Sequence, residues 1–201
     1  MNIGVLGGTF DPVHLGHLEL AAAAGRELGL AETLLVPAGQ PRFKAAGAVT
    51  PAEHRLEMLR LAVADRPDLK IATLELERPG PTCTVDTLAE LRGQYDAGDE
   101  LYFIMGWGSL AELKKWREPQ RIIRMCRIAA APRPGWPRPA LGALEKDIPG
   151  ISRRVVFLSG PHVDISASAI REMVAQGGPF RRLVPGAVAG YIMEHKLYGK
   201  R

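Results

Sequence analysis

The sequence predicts an α/β domain built on a doubly wound, mostly parallel sheet with helices on both faces. Short apolar runs alternate with amphipathic stretches along the whole chain, the pattern of strands joined by crossover helices. The 201 residues fit one domain, long enough to bury roughly 70% of the unfolded surface. A content of 46% hydrophobic and 24% charged residues is that of a folded chain.

Ile3–Leu6 reads as a short buried strand. His14 to Leu28 reads as a helix, with Leu15, Leu18, Ala22 and Leu28 on its apolar side and Gly29 as its stop. Thr33–Val36 is a second strand ended by Pro37, and residues 38–49 read as a loop. Thr50-Pro51-Ala52-Glu53 has the form of a capping box with proline at the first helical position, opening a helix that carries Leu56, Leu59 and Val63. Lys70 to Leu76 alternates and reads as a strand, Val85 to Tyr95 as a helix, and Leu101 to Met105 as a fully apolar strand. Ile128–Ala131 and Val155–Leu158 are two further strands, and Ser166–Gln176 and Val184–His195 the last two helices. Arg133–Gly150, with four prolines, reads as the least regular region. The expectation is one Rossmann-like domain over residues 1–201, with a helical part from about residue 160 onward.

Several classes are excluded. No apolar run approaches the ~20 residues of a membrane span, and Met1-Asn2-Ile3-Gly4, without a basic region followed by an apolar stretch, is not expected to open a signal peptide. Cys83 and Cys126 lack the number for a disulfide scaffold and the spacing for zinc, which favours a cytoplasmic chain with reduced thiols. The net charge of +4 favours anionic partners. The cations are dispersed and not interleaved with aromatics, so a small anionic metabolite is favoured over nucleic acid. A homo-oligomeric state is left open.

In α/β sheets ligands bind outside the carboxyl ends of the strands, which directs attention to the loops after them. The first reads Gly7-Gly8-Thr9-Phe10-Asp11-Pro12-Val13-His14-Leu15-Gly16-His17. Paired glycines after a strand let backbone N–H groups approach a ligand closely. Two histidines three apart at a helix start share one face. Together with the helix N-terminus they form a phosphate site in physical terms. A bare Gly-Gly turn would carry no such reading; the histidines reverse it. A zinc site at His14 and His17 is disfavoured because no third ligand stands nearby. The second loop reads Ile165-Ser166-Ala167-Ser168-Ala169-Ile170-Arg171. Ser166 is a good N-cap, Ser168 lies in the first turn, and Arg171 adds a fork-shaped cation. Alone it would be a capped surface helix.

Together the two stretches resemble the signatures of the nucleotidyltransferase superfamily, G-G-x-F-D-P-x-H-x-G-H and I-S-x-x-x-I-R, both matched without gaps. Further segments resemble one member family, the bacterial nicotinate-nucleotide adenylyltransferases: Pro37–Lys44, Pro81–Leu88, Phe103–Leu110 with Trp116, and Arg133–Trp136. The likeness runs from about residue 3 to residue 198. There are departures. Gly108 stands where the family has Asp near the bound ribose, Phe43 replaces a histidine, and Cys83 a frequent Tyr. Gly106-Trp107-Gly108-Ser109-Leu110-Ala111 also spells a dinucleotide-binding run. It lies in a late βα unit, without an acidic residue about 20 positions on, so an NAD-dependent oxidoreductase is disfavoured. No Walker A run is present.

The resemblance implies transfer of the adenylyl group of ATP to nicotinate mononucleotide. The nucleophile is already an anion, so catalysis is positioning and electrostatics, with no covalent intermediate. His17 is expected to donate to the α-phosphate or bridging oxygen, and His14 to help hold the triphosphate. Lys44 and Arg171 are expected on phosphate oxygens, with Ser166 and Ser168 acting through their helix N-terminus. Gly7, Gly8, Thr9, Phe10, Gly106, Gly108 and Ile165 complete the expected nucleotide site. Mg²⁺ is expected to bridge the triphosphate, held by ATP oxygens and water rather than by protein ligands, and Asp11 to brace the loop. On the acceptor side, the resemblance puts Thr84 at the pyridine carboxylate, Trp116 on the pyridine ring and Arg133 at the mononucleotide phosphate. The alternatives are a pantetheine-phosphate adenylyltransferase, a cytidylyltransferase, or a catalytically weak nucleotide-binding module.

Overall fold

The computed structural model describes residues 1–41, 49–161 and 163–199. Its main sheet holds β1 (Asn2–Gly8), β2 (Glu32–Pro37), β4 (Leu69–Ile71), β6 (Glu100–Gly106), β7 (Arg127–Ala131) and β8 (Val155–Phe157). The order is β4-β2-β1-β6-β7-β8 and every pairing is parallel. From β1 the chain winds outward through β2 to β4, then returns to β1's other edge with β6. The strand order therefore reverses between β1 and β6, and a ligand crevice belongs at their carboxyl ends. Two short strands, β3 (Gln40–Pro41) and β5 (Pro81–Thr82), pair separately.

The sheet is buried on both faces, as a parallel sheet requires. Along β1 and β6, Leu6, Tyr102 and Ile104 face one core; Ile3, Val5, Phe103 and Met105 face the other. The first core is covered by α1 (Leu15–Leu28), α2 (Ala52–Val63), α8 (Ala167–Ala175) and α9 (Gly186–Glu194). The second is covered by α4 (Thr84–Arg92), α5 (Trp107–Glu112), α6 (Pro119–Met125) and α7 (Leu141–Asp147). The expected fold class is the observed one. No helix among the described residues is long and apolar enough to cross a membrane.

Some boundaries differ from expectation. The strand expected over Lys70–Leu76 ends at Ile71, and a short helix α3 (Leu74–Glu77) follows. Glu75 is buried with Thr87 donating to its carboxylate at 2.6 Å, and Thr73 donates to Glu77 at 2.6 Å. These side-chain bonds favour a turn over continued pairing. The expected Thr50 capping box does not form. Pro51 takes the N-cap position, while Thr50 donates its N–H to Asp11 and its carbonyl accepts from Arg55. The helix expected to reach Tyr95 stops at Arg92 before Gly93. Between β6 and β7, where no helix was expected, α5 begins at Trp107 and α6 at Pro119. Within the stretch read as least regular, α7 is anchored by buried Leu144, and Glu145 accepts from Gly150 N at 2.6 Å and Ser152 N at 2.9 Å.

Candidate active site

Two clefts open at the carboxyl ends of β1 and β6. The first, about 340 Å³, is lined by His14, His17, Ser166, Ser168, Arg171 and Arg133, with Phe10, Gly106 and Ile165. The second, about 350 Å³, is lined by Gly7, Gly8, Thr84, Cys83, Trp116 and Arg117. Thr9 lines both.

The loop after β1 is shaped by Phe10, which is buried with a left-handed φ of +50°. A Cβ on Gly8 would stand 3.1 Å from the Phe10 ring, so glycine there lets the ring fold back under its own loop. The ring meets His17 edge-on at 4.8 Å between centroids. His14 is the N-cap of α1, and its imidazole stacks on that of His17 at 3.7 Å. The backbone N–H of His14 donates to His17 Nδ1 at 3.2 Å. Neutral His17 must therefore carry its proton on Nε2, the nitrogen left to donate to a ligand. Burial lowers the His14 pKa to about 4, helped by the charge of Arg133, and burial beside His14 holds His17 well below its ordinary value. Both imidazoles are neutral donors at pH 7. His14 Nδ1 is buried without a hydrogen-bond partner among the described residues.

The second loop joins the first across 160 positions of sequence. Ser166 accepts from Ala169 N at 3.1 Å, capping α8 as expected. Arg171 donates through Nη1 to the Asp11 carbonyl at 2.7 Å and through Nη2 to Ser168 Oγ at 3.2 Å. The Asp11 carboxylate is 1% exposed and taken on both oxygens, from Tyr198 OH at 2.8 Å and Thr50 N at 3.2 Å. It braces the loop, with one hydrogen bond on each oxygen among the described residues.

Arg133 packs beside Gly106, whose Cβ would lie 4.0 Å from the arginine Cδ. Gly108 lines neither cleft: a Cβ there would meet the six-membered ring of Trp136 at 3.0 to 3.2 Å. The indole of Trp136 fills the space where a side chain at 108 would begin. Gly7 and Gly8, expected on the nucleotide, line the second cleft, while Thr9, Phe10, Gly106, Ile165, Ser166 and Ser168 line the first. Thr84 and Trp116 share the second cleft, and Arg133 lies in the first. Lys44 lies outside the described residues.

Arg55 went unread in the sequence. It is 2% exposed and donates to four backbone carbonyls: Thr50 at 2.9 Å, Thr9 at 2.9 Å, Ala38 at 2.8 Å and Gly39 at 3.3 Å. One guanidinium thus ties the loop after β1 to the loop after β2 and to the start of α2. Its signal was present: Arg55 occupies the same helical face as Met58, Leu59 and Ala62. Glu75 in the second cleft also went unread.

A parallel sheet with a reversed strand order, and two phosphate-type loops converging on one cleft at that reversal, define an α/β nucleotide-handling protein. The model of the cytidylyltransferase-like family matches residues 5–173. Relatives described as probable nicotinate-nucleotide adenylyltransferases match almost end to end. That of Dehalococcoides mccartyi strain CBDB1 is 45% identical over 201 residues, covering 100% of this chain and 98% of the relative. That of Roseiflexus sp. strain RS-1 is 44% identical over 197 residues, covering 98% and 97%. The chain belongs to the nicotinate-nucleotide adenylyltransferase family within the cytidylyltransferase-like group. The fold is shared with Plasmodium falciparum nicotinic acid mononucleotide adenylyltransferase complexed with NaAD, at a TM-score of 0.79 and 19% identity over 98% of this chain and 97% of that one.

Proposed function

We propose that the chain transfers the adenylyl group of ATP to nicotinate mononucleotide, giving nicotinate adenine dinucleotide and pyrophosphate. One observation carries the reading: His14, His17, Ser166, Ser168 and Arg171 line one cleft, and a second cleft adjoins it through Thr9. Two anionic substrates can thereby meet end to end.

ATP occupies the first cleft, with its triphosphate toward the α8 N-terminus and Arg171. Nicotinate mononucleotide occupies the second, its pyridine ring beside Trp116 and its carboxylate toward Thr84. Arg133 meets the mononucleotide phosphate where the clefts adjoin. A phosphate oxygen of the acceptor attacks the α-phosphorus, a new P–O bond forms, and the bond to the bridging oxygen breaks as pyrophosphate leaves. His17 donates from Nε2 to the oxygen on which charge grows, and Arg171 neutralises the departing phosphates. Lys44 joins them by resemblance. A divalent cation bound with ATP supplies further charge neutralisation. Mg²⁺ brought in with ATP would be held chiefly through the nucleotide and would neutralise phosphate charge there. The chain works in the cytoplasm on small-molecule substrates.

The test is pyrophosphate release, with nicotinate or nicotinamide mononucleotide as acceptor and ATP or CTP as donor. ATP with nicotinate mononucleotide is expected to give the highest kcat/KM. A preference for the amide acceptor or for CTP overturns the assignment.

A further inference from the structure

We infer that Tyr198 is a positioning residue of the nucleotide cleft, acting through Asp11 on Arg171. The inference rests on the reading that ATP binds in the first cleft. Beyond α9 the chain turns back over the helix end, with Leu197 N donating to Ile192 O at 3.0 Å and Lys196 N to Met193 O at 3.2 Å. The turn uses two non-glycine residues in the left-handed region, Lys196 at φ +52° and Tyr198 at φ +63°. At Lys196 this is the ordinary left-handed residue of a helix C-cap, whereas at Tyr198 it persists only where surrounding contacts over-determine it. Here the contact is the Tyr198 phenol on Asp11 Oδ1 at 2.8 Å, across 187 positions of sequence.

Asp11 is the junction of the cleft wall. Its carboxylate is buried and receives only Tyr198 OH and Thr50 N as hydrogen bonds among the described residues, while its carbonyl receives Arg171 Nη1. Removing the phenol hydroxyl strands a buried carboxylate oxygen. The carboxylate must then reorient toward water or another donor, and the carbonyl that fixes Arg171 moves with it. Tyr198 and Asp11 do not line the second cleft, and Arg171 does not either. The disturbance therefore falls on ATP and spares the acceptor, a split that a general loss of packing would not produce.

The experiment compares the parent, Tyr198→Phe, Arg171→Ala and the double variant. ATP dissociation constants are measured without acceptor, and KM for both substrates is measured by pyrophosphate release. Tyr191→Phe is the control. It removes another phenol hydroxyl, one that meets His54 Nδ1 at 2.9 Å away from both clefts. Tyr198→Phe is expected to weaken ATP about tenfold, the scale of one hydrogen bond to a charged group, with acceptor KM changed less than twofold. In the Arg171→Ala background the same substitution is expected to cost less than twofold, because the route through Arg171 is already cut. ATP affinity unchanged in Tyr198→Phe, an equal loss in both backgrounds, or equal losses for both substrates would overturn the inference. Direct ATP binding reads the tether whichever acceptor the enzyme uses, so failure of the acceptor assignment is seen separately.

Discussion

Replacing Arg55 by methionine keeps most of the side-chain stem and removes the guanidinium that holds four carbonyls. Three of its bonds are 2.9 Å or shorter and one is 3.3 Å. A hydrogen bond from a charged donor contributes about 1.5 kcal/mol at the low end, and removing a buried charge returns part of that through relief of desolvation. That desolvation is visible in the guanidinium itself, whose pKa burial lowers against the opposing pull of Asp11. The net expectation is a loss of about 3 kcal/mol, or about 6–12 °C in Tm for a domain of this size. Urea unfolding should show a lower midpoint with an unchanged m-value. Because Arg55 holds the carbonyl of Thr9, which lines both clefts, KM should rise for ATP and acceptor together in the variant that remains folded. Arg55→Lys should recover little, since one ammonium cannot span carbonyls on three segments. A stability loss below 1 kcal/mol with both KM values unchanged would refute the bracing role.

Three further outcomes are expected. His17→Ala should lower kcat by about 10²–10³-fold, the scale of one preorganised donor, and single-turnover formation of the dinucleotide would measure it. Stability should fall as pH falls below 6.5. The unfolded chain protonates His14 through its ordinary value of 6.5, whereas the folded chain resists until about 4, so stability is complete above that window and about 3 kcal/mol is lost across it. Denaturant titrations at pH 7.5 and 4.5 read this, and His14→Gln should flatten the slope. Gly108→Asp should displace Trp136, because even a Cβ meets the indole at 3.0 Å. A red-shifted, more quenchable tryptophan emission is the expected sign, and an unchanged spectrum would contradict the packing.

The fold was legible because the strands of a parallel sheet are continuous apolar runs and the long helices are periodic. Leu101–Met105 and Leu15–Leu28 announce themselves this way. What escaped was set by tertiary partners. The segment after Ile71 turns helical because Glu75 finds the hydroxyl of Thr87 twelve positions later, a bond no local pattern encodes. The short helices α5 and α6, six and seven residues long, carry too few turns to show a period. The two loops that line the first cleft were legible as glycines, histidines and an N-cap serine, since that pattern is local to each loop. Arg55 and Tyr198 were not, because their importance lies in backbone carbonyls and a carboxylate brought to them only by folding. The proline-rich stretch after Arg133 misled in the opposite sense, reading as irregular where Leu144 and Glu145 anchor a helix.

The polar groups of the first cleft divide into two kinds, and the division follows from burial. Arg171 and Arg133 contribute guanidinium groups. His14 and His17, stacked and buried, stay neutral and offer directed N–H groups. Burial penalises the charged form of both imidazoles, Arg133 adds to this at His14 and His14 adds to it at His17, so both pKa values move down. A neutral donor gives little to the ground state of a bound polyanion and more to an oxygen whose charge grows during bond breaking. This is the condition for lowering a barrier rather than merely tightening binding. The arrangement needs Nδ1 of His17 occupied, which the His14 backbone N–H accomplishes. The spacing of three residues between the histidines therefore does more than place them on one face: it also selects the tautomer with the proton on Nε2.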